Sequence, residues 1–286
     1  MMQKPSVSIV IPAYNEEGHL ALCLEAIARQ TVKPLEVIVV DNNSTDATAA
    51  IARSYPFVTV VPEKRQGLVY ARNTGFNAAH GEIIGRIDVD SLVSRDWVET
   101  IQNIFDDGAV DAVSGALGFH DPPFRRIFER VDLMFRRYLA RNLAREGELF
   151  LYGGNMAIRR SLWQKVRGEV CEHRHLHEDI DLAAHLAGTD CRVVFNENLR
   201  ADVSVRRIDT DMRSFYTYVL ANPRTYAVHG LASRRYMYPV VWIALAFYLP
   251  LRLLYRAYNP QTHKFSLGQL LRPSYRQRVS PLSDNL

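Results

Sequence analysis

The sequence predicts an α/β fold, a mostly parallel sheet with helices on both faces, followed by an apolar helical extension. Three observations carry this. Short β-branched runs alternate with segments whose apolar residues recur at helical spacing. The strand-like runs are continuously apolar, as strands covered on both faces are. After residue 210 the alternation gives way to one long aromatic and apolar stretch.

The elements follow in order. Residues 7–11, a run closed by Pro12, read as the first buried strand. "GHLALCLEAIARQ" has Leu20, Leu24, Ile27 and Ala28 at helical spacing. Residues 37–40 repeat the strand, "DNNSTD" makes a polar turn, and a helix from Ala47 onward has Thr45 or Asp46 to cap it. "FVTVVPE" is the third strand, and "GLVYARNTGFNAAHG" a helix ending at Gly81. "EIIGRIDVDS", "RDWVETIQNIFDDG" and "AVDAVSGALGF" continue as strand, helix and strand. An arginine-rich helix follows, with seven arginines in 124–145 and an apolar stripe of Ile127, Val131, Met134, Phe135 and Tyr138. "LYGGNMAIRRSLW" holds a glycine pair, a short apolar piece and a helix start near Ser161. "HEDIDLAAHLAG" reads as a helix from Glu178-Asp179 to Gly188, and "CRVVFNENLRADVSVRR" as edge strands. The chain divides into a ligand-binding α/β half (1–120), a second half of the same domain (121–210) and the extension (211–286).

The 286 residues are 48% hydrophobic and 23% charged, an ordinary globular balance. The net charge of +4 suits anionic small ligands or an acidic membrane surface and does not demand nucleic acid. Cys23, Cys171 and Cys191 show no metal-ligand spacing and read as reduced thiols of a cytoplasmic protein. No signal peptide is evident at the N-terminus.

Open sheets of this kind bind ligands at the carboxyl ends of their strands. Tyr14-Asn15-Glu16, Asp41-Asn42-Asn43 and Asp88-Val89-Asp90 all fall at such ends. Asp88 and Asp90 point the same way in an extended chain, which fits either a divalent cation or a solvated strand end. Neither G-x-G-x-x-G after the first strand nor a P-loop is present, so bound phosphates need a metal or arginines. Arg72 suits such a role or a plain helix surface. Glu178, Asp179 and Asp181 suit either a helix start or a general base. His173, His175 and His177 share a face if extended, without a nearby cysteine pair to complete a zinc site.

Five motifs now stand in order: "SIVIPAYNEE", "VIVVDNNSTD", "ARNTGFNAAHGEIIGRIDVDS", "YGGNMAIRRSLW" and "HEDIDLAAHL". Over roughly residues 6–207 the chain resembles the family 2 glycosyltransferases, inverting enzymes of the GT-A fold. The resemblance implies that Pro12, Ala13, Tyr14, Asn15 and Glu16 line a nucleotide pocket. It implies that Asp41, with Asn43 near, bonds the base, and that Arg72 holds the nucleotide. The D-x-D motif would place Asp88 by the ribose or sugar, Val89 between, and Asp90 on a Mg2+ or Mn2+ ion. Gly153, Gly154 and Asn155 would shape the sugar and acceptor cleft. Asp179 would be the catalytic base, supported by Glu178. The implied partners are a UDP- or GDP-linked sugar and an acceptor sugar or lipid-linked acceptor. The processive members' Q-x-x-R-W motif is absent, and Arg206-Arg207 match it poorly, which favours single transfer. A sugar-nucleotide pyrophosphorylase or a non-catalytic nucleotide-sugar binder are the alternatives.

The apolar run 237–251, with Pro239 and Pro250, falls short of a hydrocarbon core. Tyr238, Trp242, Tyr248 and Tyr255, flanked by Arg234, Arg235, Arg252 and Arg256, suit an interface-lying segment on the cytoplasmic leaflet. The alternative is a buried core or dimer helix.

Overall fold

The computed structural model describes residues 4–106, 108–173, 175–259 and 262–270. The end of the predicted extension, from 271, lies outside the described residues. The chain runs β1 (Val7–Ala13), α1 (Leu20–Ala28), β2 (Glu36–Asp41), α2 (Thr48–Arg53), β3 (Val58–Pro62), α3 (Leu68–Ala78) and β4 (Ile83–Ile87). Then come β5 (Leu92–Val93), α4 (Trp97–Phe105), β6 (Ala112–Phe119), α5 (Arg125–Arg145), β7 (Asn155–Arg159) and α6 (Arg160–Val166). It closes with α7 (Glu178–Ala187), β8 (Val193–Val203), α8 (Met212–Val228) and α9 (Arg234–Ala257).

Eight strands form one sheet in the order β3-β2-β1-β4-β7-β6-β8-β5. Strands β1 to β4 run parallel, as do β6 and β8, whereas β7 and β5 run against their neighbours. Side-chain alternation divides the sheet's apolar residues between two faces. Val7, Ile9 and Ile11 join Leu20, Leu24, Trp97 and Ile101 on one face. Val10, Ile38, Val40 and Ile84 join α3, α6 and α7 on the other. Helices therefore cover both faces, as the continuous apolar runs require.

Two details of this topology build the site. Because β7 is antiparallel to β4, Ile87 pairs with Asn155, so the loop leaving β4 meets the loop entering β7. After β4 the chain crosses to the far edge, where Leu92 pairs with Asp202 on β8. That crossing carries residues 88–91 toward the segment that follows β8.

The structure corrects four local expectations. Strand β1 continues through Pro12 to Ala13 beside β2, because its pairing with β4 has already ended at Val10. Helix α3 stops at Ala78, and Ala79 is extended. Gly81 instead lies against β1, where a Cβ would come within 2.7 Å of the Ser8 amide. Strand β8 is a single strand inside the sheet with a register shift opposite Gly115/Ala116, and β5 forms the edge. Helix α9 runs through both prolines and is largely exposed, so it is not a core helix.

Candidate active site

The loops after β1 and β2 are stitched together by the residues expected to hold a nucleotide. The Asn15 amide donates to Ser44 Oγ at 3.1 Å, and the Thr45 amide donates to Asn15 Oδ1 at 2.8 Å. Asn15 and Asn43 take positive φ angles, 52° and 63°, which asparagine tolerates better than most residues. Asp41 accepts the Ser44 amide at 3.2 Å, and the buried Asn42 ties this turn to the backbone at Glu63, Arg65 and Gly67. Tyr14 and Asp41 remain half-exposed at the strand ends, while Pro12 and Ala13 are buried in β1.

Arg86, on β4 just before the D-x-D motif in "EIIGRIDVDS", connects two motifs. Its guanidinium bonds Glu178 Oε1 at 2.7 Å and Asp88 Oδ1 at 3.2 Å, and it is almost fully buried. Burial works against its charge, but Glu178, Asp88 and Asp179 outweigh burial and hold its pKa above the ordinary value. Gly153 makes room for it: a Cβ there would lie 1.5 Å from Arg86 Nη1. A Cβ on Gly154 would meet Tyr152 at 2.7 Å and Asp88 Oδ2 at 3.4 Å. The glycine pair is thus required by close approach rather than by unusual φ.

Arg206 does the same for the second aspartate. Its Nε donates to Asp90 Oδ2 at 2.8 Å and its Nη2 to Glu16 Oε1 at 2.7 Å. Burial disfavours this charge as well, yet Asp90 and Glu16 raise the pKa. The link joins the first strand end, the D-x-D loop and the segment after β8.

Asp179 sits in the first turn of α7. Its Oδ2 accepts the Gly153 amide at 2.9 Å, and its Oδ1 accepts the Ile180 amide at 2.8 Å. It lines an apolar cavity of about 150 Å³ between α5, α7, α8 and α9. Asp88 and Asp90 line a second cavity of about 250 Å³. The two cavities share Asp132, Arg136, Tyr152 and Tyr218 as walls. Arg136, buried although it belongs to the arginine-rich α5, stacks 4.1 Å over the Tyr152 ring.

Three expectations change, and the three histidines that the sequence left without a completing cysteine pair prove to be spread apart. Arg72 does not face the strand ends: it is buried, with Nη1 bonded to the Glu178 carbonyl at 2.8 Å and Nη2 3.7 Å from Asp181. Burial lowers its pKa to about 10. Asn155 is fully buried, donating to the Ala116 and Leu199 carbonyls and accepting from Trp97 Nε1, so it braces the sheet rather than lining the cleft. Val89 is buried in the hydrophobic core, within the turn that follows β4. His173 and His175 are exposed while His177 is buried against Tyr218, so the three histidines do not converge.

Residues 8–167, more than half of the chain, match the family model described as Glycosyl transferase family 2. The chain belongs to glycosyl transferase family 2. The glycosyltransferase AglE of Haloferax volcanii is 33% identical over 159 residues, covering 51% of this chain and 52% of the relative. Chondroitin synthase of Escherichia coli is 37% identical over 99 residues, 33% of this chain and 14% of the relative. The chain thus spans about half or less of the curated relatives it matches.

The fold is shared with the mannosyltransferase PcManGT from Pyrobaculum calidifontis, solved with GDP-Man and Mn2+. The TM-score is 0.62 at 22% identity, covering 94% of this chain and 78% of that one. It is shared also with glucosyl-3-phosphoglycerate synthase from Mycobacterium tuberculosis, solved with Mn2+, UDP and phosphoglyceric acid. There the TM-score is 0.57 at 19% identity, covering 79% of each chain. The GT-A expectation for the fold holds.

In this family 2 glycosyltransferase the residues that sequence reasoning passed over are Arg86, Arg136, Tyr152 and Arg206. Arg86 had a signal, a charge inside an otherwise apolar strand. Tyr152 lies inside the motif "YGGNMAIRRSLW" and Arg206 was read only against the Q-x-x-R-W pattern, so for these two and for Arg136 the role becomes visible only when the partner arrives from elsewhere in the chain. The donor set at Asp88 and Asp90 suits a hard divalent cation. It is oxygen-only, it lines one cavity, and Mg2+ usually takes one or two protein carboxylates with phosphates and water completing its shell.

Proposed function

We propose that the chain transfers a glycosyl group from a UDP- or GDP-linked sugar to an acceptor hydroxyl or phosphate, with inversion and in a single transfer. The observation that carries this is the glycine pair. The Gly153 amide holds Asp179, and a Cβ on Gly154 would lie 3.4 Å from Asp88 Oδ2, so the base and a donor-side carboxylate both come close to one dipeptide.

Asp179 accepts the proton of the acceptor as it attacks the anomeric carbon. Two backbone amides hold its two oxygens, which aims the carboxylate. Glu178, ion-paired to Arg86, anchors the start of α7 and so the position of Asp179. Arg206 keeps Asp90 turned toward the strand ends. Asp90 and Asp88 would hold a Mg2+ or Mn2+ ion, which when bound neutralises charge developing on the departing diphosphate.

The test is nucleoside diphosphate release from a panel of nucleotide sugars, with and without Mn2+. Asp179→Asn and Asp90→Ala each lower kcat by about 10²–10⁴-fold with the circular dichroism spectrum unchanged. Binding without metal-dependent turnover on any donor and acceptor sinks the proposal. Polymeric product from one acceptor would overturn single transfer.

The acceptor side of the proposal is a cytoplasmic-leaflet, lipid-linked substrate. Ile127, Val131 and Met134 on α5 and Tyr238, Trp242 and Phe247 on α9 all lie exposed, among exposed Arg125, Arg126, Arg130 and Arg234. Apolar side chains interleaved with cations suit an anionic lipid surface. Helix α9 is long enough at about 1.5 Å per residue to cross a bilayer. However, Met237, Val241, Tyr248 and Tyr255 attach it to the protein along its length. Tyr248 and Tyr255 hydroxyls bond the Thr210 carbonyl and Asp121, each at 2.6 Å. A helix held this way lies on a membrane rather than through it.

A further inference from the structure

We propose that Cys171, Asp181, His185 and His229 form a zinc site, separate from the sugar-transfer carboxylates, that clamps the C-terminal helices to the helix carrying Asp179. The four residues come from three places: the loop after α6, one face of α7, and the residue ending α8. Asp181 and His185 are four residues apart on α7 and therefore share a face.

One ligand atom from each of the four residues lies within 4.8 Å of every other. His229 Nε2 is 3.0 Å from Asp181 Oδ1, His185 Nε2 is 3.4 Å from the same oxygen, and Cys171 Sγ is 3.8 Å from His185 Nε2. With zinc–ligand bonds of about 2.0–2.3 Å, the edges of a tetrahedron are about 3.3–3.7 Å. These three separations bracket that range and the other three lie within 4.8 Å, so side-chain movements of about an ångström would close the shell. The rings of His185 and His229 stand at 86° to each other, which lets both aim a nitrogen at one point without clashing.

The donor chemistry selects the metal class. One sulfur, two imidazoles and one carboxylate suit zinc and other late transition metals, and sulfur and nitrogen donors do not suit Mg2+ or Ca2+. Four protein ligands leave no open position, which marks a structural rather than a catalytic site. Binding requires the thiolate and neutral imidazoles, so the Cys171 proton is released to solvent as the S–Zn bond forms. Asp181 is almost fully buried, while Cys171, His185 and His229 are partly exposed and give the ion a path in.

The position gives the site a consequence. Asp181 pairs with Arg72, and Arg72 holds the Glu178 carbonyl. A metal here would tie the end of α8 to the start of α7, two contacts from the Glu178-Asp179 pair.

The experiment uses untagged full-length protein expressed with zinc present, with metal content read by mass spectrometry. About one zinc per chain is expected, with loss of most of it in Cys171→Ser and in His229→Ala. Asp90→Ala should keep its zinc, since that residue belongs to the other site. Removal of the metal should lower Tm by about 5 °C or more, restored by added zinc but not by Mg2+ or Mn2+. Cobalt substitution should give a thiolate-to-cobalt charge-transfer band that Cys171→Ser abolishes. Zinc far below stoichiometric after incubation with excess metal, with no change in Tm and no charge-transfer band, overturns the site. So does zinc that is lost in Asp90→Ala and kept in Cys171→Ser.

Discussion

The sheet and the helical flank treat their apolar residues in opposite ways. In the sheet, Ile9, Ile11 and Val39 are all but inaccessible, as is Trp97 of α4 packed on them, and the apolar runs of β1, β2 and β4 lie inside. On the flank, α5 turns Arg136 inward and leaves Met134 69% exposed, and α9 leaves Trp242 69% exposed. The central strands are continuously apolar, whereas α5 carries its apolar residues as a stripe at helical spacing. The difference teaches that periodicity reports which residues share a face, and not whether that face meets the protein or something else.

Substitutions can break this contrast or sharpen it. The largest effects belong to the sheet side. Trp97→Ala should cost about 3–5 kcal/mol by urea denaturation, since it opens a large cavity and strips Asn155 of its indole donor. Arg86→Met should cost a comparable ~3–5 kcal/mol, because Glu178 is left as a buried charge without its partner. An unchanged stability would mean that Glu178 finds another cation. Gly153→Ala should cost about 1–3 kcal/mol, as the new methyl displaces Arg86. It should also lower kcat, because the Gly153 amide holds Asp179. Trp242→Ala sits at the bottom of the scale. Its effect on stability should stay within about 0.5 kcal/mol. Yet it should reduce flotation with vesicles containing phosphatidylglycerol, and binding to phosphatidylcholine alone should be weaker in every form. Equal flotation of Trp242→Ala and the unaltered chain would remove α9 from the membrane proposal.

Much of the site was legible because its parts are local. The D-x-D spacing, the three polar strand ends and the Glu178-Asp179 helix start can each be read within a few residues. Arg72 and Asn155 show where local reading fails. Both lie in recognisable motifs, and both turned out to brace the site from inside, Arg72 behind Glu178 and Asn155 between three strands. Arg206 failed in the other direction. Its neighbourhood suggested only a poor match to another motif, while the fold brought it to Asp90 and Glu16, 116 and 190 residues away in the chain.

By itself the sequence determined the alternation of strands and helices, the burial of the sheet on both faces, and the strand ends that carry polar clusters. Those follow from side-chain periodicity and backbone chemistry, which act over a few residues. Only the tertiary structure decided which cation meets which carboxylate, that α5 and α9 present their apolar faces outward, and that Cys171, His185 and His229 gather around Asp181. These are pairings between distant segments. They depend on strand order, on the antiparallel turn of β7 and on the crossing to β5, none of which leaves a periodic mark in the chain.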